Sequence, residues 1–249
     1  MIKLALRVDY LAILKQKRSF SFPTWPEVSH CVAKGGGHAL AANLSGKDNL
    51  LSEADLLELK RQAKLPLHLV APLNTAVLAS VARIAPQTVW LVAQASGNGS
   101  LPQGLKLDKV QAQATRALET LKRKRIRPFL VVEPDAGAIR LAKRIGAQGV
   151  ALNGWPLIQA KSRGQRERIF EDLNVAGRLV RELELELHIG GEVDYQTVEE
   201  LTEIPDVSFV HAGLAVTARG LTAGLQAAVE ELMEEVCPAA SESPLTLEA

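Results

Sequence analysis

Apolar and polar positions along this chain alternate in blocks. Eight short apolar runs end abruptly, at Val8-Asp9, Ala42-Asn43, Ala71-Pro72, Ala93-Gln94, Val132-Glu133, Leu152-Asn153, Ile189-Gly190 and Ala212-Gly213. Most are followed by a stretch with helical spacing, for example Ile169, Phe170, Leu173, Ala176, Val180 and Leu183. Runs such as Val89-Trp90-Leu91-Val92 are apolar throughout, as expected of parallel strands buried on both faces. Eight strand–helix units predict a closed α/β TIM (β/α)8 barrel with parallel strands, whose chemistry sits at the C-terminal strand ends.

The expected strands are residues 2–9, 39–43, 66–71, 88–93, 129–132, 149–152, 185–189 and 207–212. Gln16 to Pro26 reads as a loop. Helices are expected over 27–34, from Ser52-Glu53-Ala54-Asp55, after Asn74, over 107–125, from Asp135 to near Gly146 and over 166–183. A short helix falls within 193–204, and a last one over about 217–236, with Leu221, Leu225, Ala228, Leu232 and Val236 on one side. Ser52 with Asp55 three residues on is a capping-box variant. Ser96 to Gly104 follows a strand end and is the natural candidate for a mobile lid. Residues 1–236 are expected to form a single barrel domain, and 237–249, rich in Pro, Ser and Glu, a disordered tail.

The chain has 249 residues and a net charge of +1, which gives no global case for nucleic acid or an anionic membrane surface. Lys122, Arg123, Lys124, Arg125 and Arg127 lie close together, and read as cations at a helix C-terminus. Cys31 and Cys237 form neither a disulfide framework nor a metal-ligand spacing. No apolar stretch approaches a membrane span. A cytoplasmic protein with free thiols is the expectation.

Two constellations sit at the strand ends. Gly190, Gly191 and Gly213 follow strands seven and eight, where barrels often bind phosphate through backbone N–H groups. Glu192 beside them would repel an anion unless its side chain turns away. Asp9, Asn43, Gln94, Glu133, Asn153, His188 and His211 form a polar ring. Asp9 or Glu133 with His188 or His211 is a candidate acid–base set, with Asn43, Gln94 and Asn153 as pocket residues. Strand side chains alternate, so half of such a ring points away from the pocket, and His188 and His211 fit either side. His30, His38 and His68 read as structural or exposed. No nucleophile elbow, Walker loop, dinucleotide fingerprint or zinc motif is present.

Arg7-Val8-Asp9-Tyr10-Leu11-Ala12-Ile13-Leu14-Lys15 resembles the opening of the pyridoxine 5′-phosphate synthase family, Asn-x-Asp-His-x-Ala-x-Leu-Arg. The similarity continues through Asn43-Leu44, Ser52 to Leu56, Ile204-Pro205 and Ala223-Gly224-Leu225. It implies a barrel with additional helices, assembly into homo-oligomers, and closure of the pyridoxine ring from an amino-ketone phosphate and deoxyxylulose phosphate, with no metal or organic cofactor. The chain departs from that pattern at its chemical positions. The family's Asn and His fall on Arg7 and Tyr10, its His-Leu-Arg after strand two on Asn43-Leu44-Ser45, and its strand-three glutamate on Val70. Its His-Thr-Gly falls on Asn153-Gly154-Trp155, its Gly-His-Gly on Gly190-Gly191-Glu192, and its Asn-x-Gly-His on His211-Ala212-Gly213-Leu214. Asp9, Gly190 and Gly213 persist.

Three readings follow. The first is a catalytically impaired relative that binds a phosphate-bearing small molecule or a protein partner. The second is an active synthase with a site rebuilt from Asp9, Glu133, His188 and His211. The third is a different reaction on the same barrel.

Overall fold

The computed structural model describes residues 1–16, 23–45, 50–93 and 104–237. Gln94, most of the Ser96–Gly104 loop and the 238–249 tail lie outside the described residues. Eight parallel strands close into a barrel in sequence order: β1 (Lys3–Arg7), β2 (Ala39–Asn43), β3 (Leu67–Pro72), β4 (Thr88–Val92), β5 (Arg127–Val131), β6 (Gly149–Asn153), β7 (Glu186–Val193) and β8 (Val207–Ala212). Around them lie α1 (Asp9–Gln16), α2 (Trp25–Lys34), α3 (Glu53–Gln62), α4 (Thr75–Ile84), α5 (Leu107–Arg123), α6 (Ala136–Arg144), α7 (Trp155–Ile158), α8 (Arg163–Glu182), α9 (Val198–Thr202), α10 (Leu214–Ala223) and α11 (Leu225–Val236).

Strand alternation sorts the side chains. Leu4, Leu6, Leu40, Leu69, Leu91, Leu130 and Leu152 face outward into the helix layer and are fully buried. The opposite face fills the barrel. On one side it is small, with Ala5, Ala39 and Ala41 packed against Phe209. On the other it is bulky, with Val70, Trp90, Val92, Phe129 and Val131 in contact. Small against large is how a closed barrel fills its interior without voids.

Local chemistry sets the helix starts. Ser52 and Asp55 form the expected capping box on α3, and Thr24 with Glu27 forms a second on α2. Asn74, Asp135 and Ser162 cap α4, α6 and α8. Among the described residues no helix is long and apolar enough to cross a membrane. Both cysteines are free.

Four elements differ from the sequence expectation. The first strand stops at Arg7, and Asp9 already opens α1. The helix placed at 217–236 is two helices, because Gly224 adopts φ 85° between them, and Leu221 is 75% exposed rather than on the apolar side. The short α7 follows β6, starting at a Trp-Pro pair that suits a first helical turn. Finally, β7 runs on to Val193. Ile189 pairs with Val210 and Val193 with Ala212, so four steps on β7 match two on β8. Gly190, Gly191 and Glu192 lie opposite the single residue His211, a bulge with two extra residues at the C-terminal rim.

Candidate active site

The rim is built from the ends of β1, β2, β5, β6, β7 and β8. Arg7 and Asp9 are both buried there, at 4% and 1% exposure. The Arg7 Nε and Nη2 groups donate to Asp9 Oδ2 at 3.3 and 3.2 Å. The Asn43 amide donates to Asp9 Oδ1 at 2.9 Å. Both oxygens of Asp9 are therefore engaged, which satisfies a carboxylate out of water. Glu133 is exposed, and its Oε1 accepts the Gly104 amide at 3.0 Å. That contact ties the end of the 96–104 loop to β5. Asn153 Oδ1 accepts the Trp155 amide at 3.0 Å and starts α7.

The three candidate phosphate glycines have different surroundings. Gly190 O accepts the Gly154 amide at 2.7 Å. Gly191 sits at φ 110°, and a Cβ there would overlap Asn153 Oδ1 and lie 2.8 Å from the Trp155 nitrogen. This pair closes the bulge tightly onto β6. Gly213 instead faces the rim residues: a Cβ would lie 2.8 Å from the Arg7 Cβ and 3.1 Å from the Tyr10 ring. It also begins α10, which no side chain caps.

Tyr10 crosses from α1 to the β7 bulge. Its hydroxyl donates to Glu192 Oε1 at 2.8 Å. Burial, and then the bond to Glu192, push the Tyr10 hydroxyl far above the ordinary phenol range, against a lowering pull from Arg7. Tyr10 is thus a standing donor. Glu192 has a left-handed backbone at φ 57°, uncommon for a non-glycine residue. Its other oxygen, Oε2, is out of solvent and has no hydrogen-bond partner.

His188 and His211 belong to a different layer. His188 pairs across the sheet with Ala151, the middle residue of β6, and His211 with Ala5, the middle residue of β1. Both are at most 1% exposed, as is His68. His188 stacks on Phe129 at 3.9 Å between ring centroids, and His211 on Trp90 at 3.8 Å. His68 Nδ1 and His211 Nε2 are 3.1 Å apart and share one proton between them. Trp90 Nε1 donates to His188 Nδ1 at 3.0 Å, so His188 carries its proton on Nε2 and is neutral. That Nε2 faces Glu186 Oε1 at 3.1 Å. Burial pushes all three imidazoles below their ordinary value, His68 to about 3 and His211 well down. Glu186 is also gripped by Arg127 and by the Ser208 hydroxyl. Burial alone would raise this carboxyl, but the bonds from His188 and Arg127 bring it down to about 2.

The structure therefore brings Asp9, Asn43, Glu133, Asn153 and the glycines to the rim, and His188 and His211 to the layer beneath. Arg7, Tyr10 and Glu192 join the rim although none was a candidate catalytic residue. A signal for them existed: all three are departures from the family pattern, and all fall at the ends of β1 and β7, separated only by β8 and its Gly213. Among the described residues no group of three or more His, Cys, Asp or Glu is arranged to hold a metal.

Comparison with solved structures agrees on the architecture. Phosphoribosylanthranilate isomerase from Thermotoga maritima aligns with a TM-score of 0.57 at 10% identity, over 95% of this chain and 98% of that one. N-(5′-phosphoribosyl)anthranilate isomerase from Pyrococcus furiosus gives 0.58 at 13% identity, with the same coverage. At this distance the likeness is one of fold. Sequence comparison goes further. Pyridoxine 5′-phosphate synthase of Elusimicrobium minutum (strain Pei191) is 29% identical over 237 residues, covering 94% of this chain and 98% of that protein. That of Syntrophobacter fumaroxidans (strain DSM 10017 / MPOB) is 27% identical over 233 residues, with the same coverage. A family model described as pyridoxal phosphate biosynthesis protein PdxJ matches residues 4–237. With the closed parallel barrel and this near-complete match, the chain belongs to the PdxJ family of pyridoxal phosphate biosynthesis proteins.

Proposed function

We propose that this barrel binds a small phosphorylated molecule at its C-terminal rim and does not close the pyridoxine ring. One observation carries the reading: the two histidines available for acid–base work are neutral members of the barrel core, stacked on Phe129 and Trp90 beneath the rim. Ring closure needs repeated proton transfers, and each general acid or base contributes about 10²–10⁴-fold. Asp9 is 1% exposed, and both of its oxygens already accept from Arg7 and the Asn43 amide. Glu133, on the exposed rim, would have to work without a histidine partner.

For the phosphate, the surroundings favour Gly213 over Gly190 and Gly191. Gly213 lies against buried Arg7 and opens a ten-residue helix whose first N–H groups no side chain caps. Gly190 and Gly191 are turned onto β6 and lead into a carboxylate.

The Tyr10–Glu192 pair favours a second reading, an active synthase with relocated acid–base groups, because it places one ionisable couple at the rim. The test is to incubate the purified protein with amino-acetone phosphate and deoxyxylulose phosphate and detect pyridoxine 5′-phosphate by mass. The expected result is no product above the protein-free control. Product that disappears in Glu192→Gln would establish the second reading.

A further inference from the structure

In the helix layer α3 packs on α4 and α5 on α6, but α4 and α5 stand apart. A groove of about 540 Å³ runs between them on the outer flank of the barrel. The sequence explains the gap. Ala79 and Ala82 on α4 look across at Ala117 on α5, and no side chain there is long enough to close the space. Ala117 and Leu121, 6% and 1% exposed, form a floor continuous with the main core. At the rim end Gln113 Nε2 donates to Leu73 O at 2.7 Å, which ties α5 to the turn before α4. The charged residue lining the groove is Arg116, exposed at its edge. Further along α5, Arg123 donates to the Thr120 hydroxyl, which also lines the groove. Among the described residues no carboxylate lines it, and Arg83 at the end of α4 is taken by Glu53.

We propose that the α4–α5 groove is a second ligand site, which takes an aliphatic carboxylate with its chain between the helices and its charge on Arg116. The volume is that of a small-molecule site, and such sites are mostly apolar with a few polar groups that fix orientation. The shape is elongated: from Thr75 to Ala82 the α4 wall spans about 10 Å. A chain laid there removes apolar surface of Leu78, Ala79 and Ala82 from water along with its own. The sign of the ligand follows from the edge, where a planar guanidinium suits a carboxylate and no acid competes for it. The site sits on the helix layer, away from the strand ends, and does not rest on the rim reading.

The test is an amide NMR titration of the full chain with octanoate. Resonances of Ala79, Ala82, Ala117 and Thr120 should shift and saturate, while Gly213 at the rim stays in place. Hexanoate and butanoate should bind about two- to fourfold more weakly for each methylene removed. Octan-1-ol, the same chain without the charge, should bind about fivefold more weakly, the most that an exposed ion pair contributes. Arg116→Gln should bring octanoate within about twofold of octan-1-ol. Ala79→Phe, which places a ring in the groove from an exposed position, should weaken both at least about tenfold. Melting temperatures establish that both variants are folded. Amino-acetone phosphate should bind both variants as it binds the wild type, so failure at the rim and failure at the groove are read separately. No saturable shift on α4 and α5, an affinity indifferent to chain length, a preference over octan-1-ol unchanged by Arg116→Gln, or octanoate binding that survives Ala79→Phe would each overturn the proposal. So would sedimentation in which Ala79→Phe changes the mass in solution, since the groove would then be a contact between copies of the chain.

Discussion

Glu186 and Glu192 lie on the same strand, one near its start and one in its bulge, and their surroundings are opposite. Glu186 is met by Arg127, the His188 ring and the Ser208 hydroxyl, and its carboxyl is pulled down to about 2 despite its burial. Glu192 has one donor, a strained backbone and an oxygen with nothing to accept. The first glutamate completes a polar network inside the barrel: Arg127, Glu186, His188, Trp90. The second is left incomplete at the rim. A fully satisfied buried network fixes structure, whereas a group left unsatisfied by the fold is available to a ligand. On that contrast, the Arg127–Glu186–His188–Trp90 network is scaffold and the rim is the working surface; His68 Nε2 and His211 Nδ1 also lack partners, but both rings are shut in the barrel core at 1% exposure.

The contrast can be broken at several points. Asp9 sits at the rim but is satisfied like Glu186, so it should behave as scaffold. Asp9→Ala leaves the buried Arg7 guanidinium without its carboxylate and should cost about 3–5 kcal/mol in urea unfolding. Glu186→Ala removes the acceptor for Arg127, His188 and Ser208. Its cost should be smaller, about 2 kcal/mol, because the Arg127 side chain is 43% exposed and water takes over part of the loss.

The third prediction concerns pH. Burial holds the His68, His188 and His211 values below those of the unfolded chain. Below about pH 6.5 the unfolded chain therefore binds more protons than the folded one, and stability present above that pH is lost as pH falls. The loss should be about 1.4 kcal/mol per pH unit for each of these histidines, ending for His68 at its folded value of about 3. Glu186 adds loss of the same sign below the ordinary carboxylate range, since its value is also lowered by folding. Urea midpoints at pH 7.5, 6 and 5 measure the slope. A flat profile would mean that the lower layer already carries protons.

The smallest effect on stability sharpens the contrast most. Glu192→Gln removes a charge that the fold does not satisfy, so stability should stay within about 0.5 kcal/mol of the wild type or rise. A large loss would show that Glu192 is scaffold as well.

The barrel could be read from the sequence because parallel strands buried on both faces leave continuous apolar runs, and polar punctuation marks their ends. The site was only partly readable. Asp9, Asn43, Glu133 and Asn153 sit at strand ends, where position alone predicts the rim. His188 and His211 needed the register, since a one-residue shift in a strand exchanges its faces. The bulge was hidden because Gly190-Gly191 reads equally well as an ordinary turn, although it carries the strand on to Val193. The Tyr10–Glu192 bond spans 182 positions, a separation that no local pattern reports. The break at Gly224 was masked by apolar spacing that continues through it.

The most direct measurement is a nitrogen-detected NMR titration of the histidine rings between pH 8 and pH 5.5, with and without amino-acetone phosphate. His68, His188 and His211 are expected to stay neutral across this range and not to respond to the ligand. A ring among these three that titrates near neutral pH, or that shifts when the ligand binds, would place a histidine in the working site and contradict the division between core and rim.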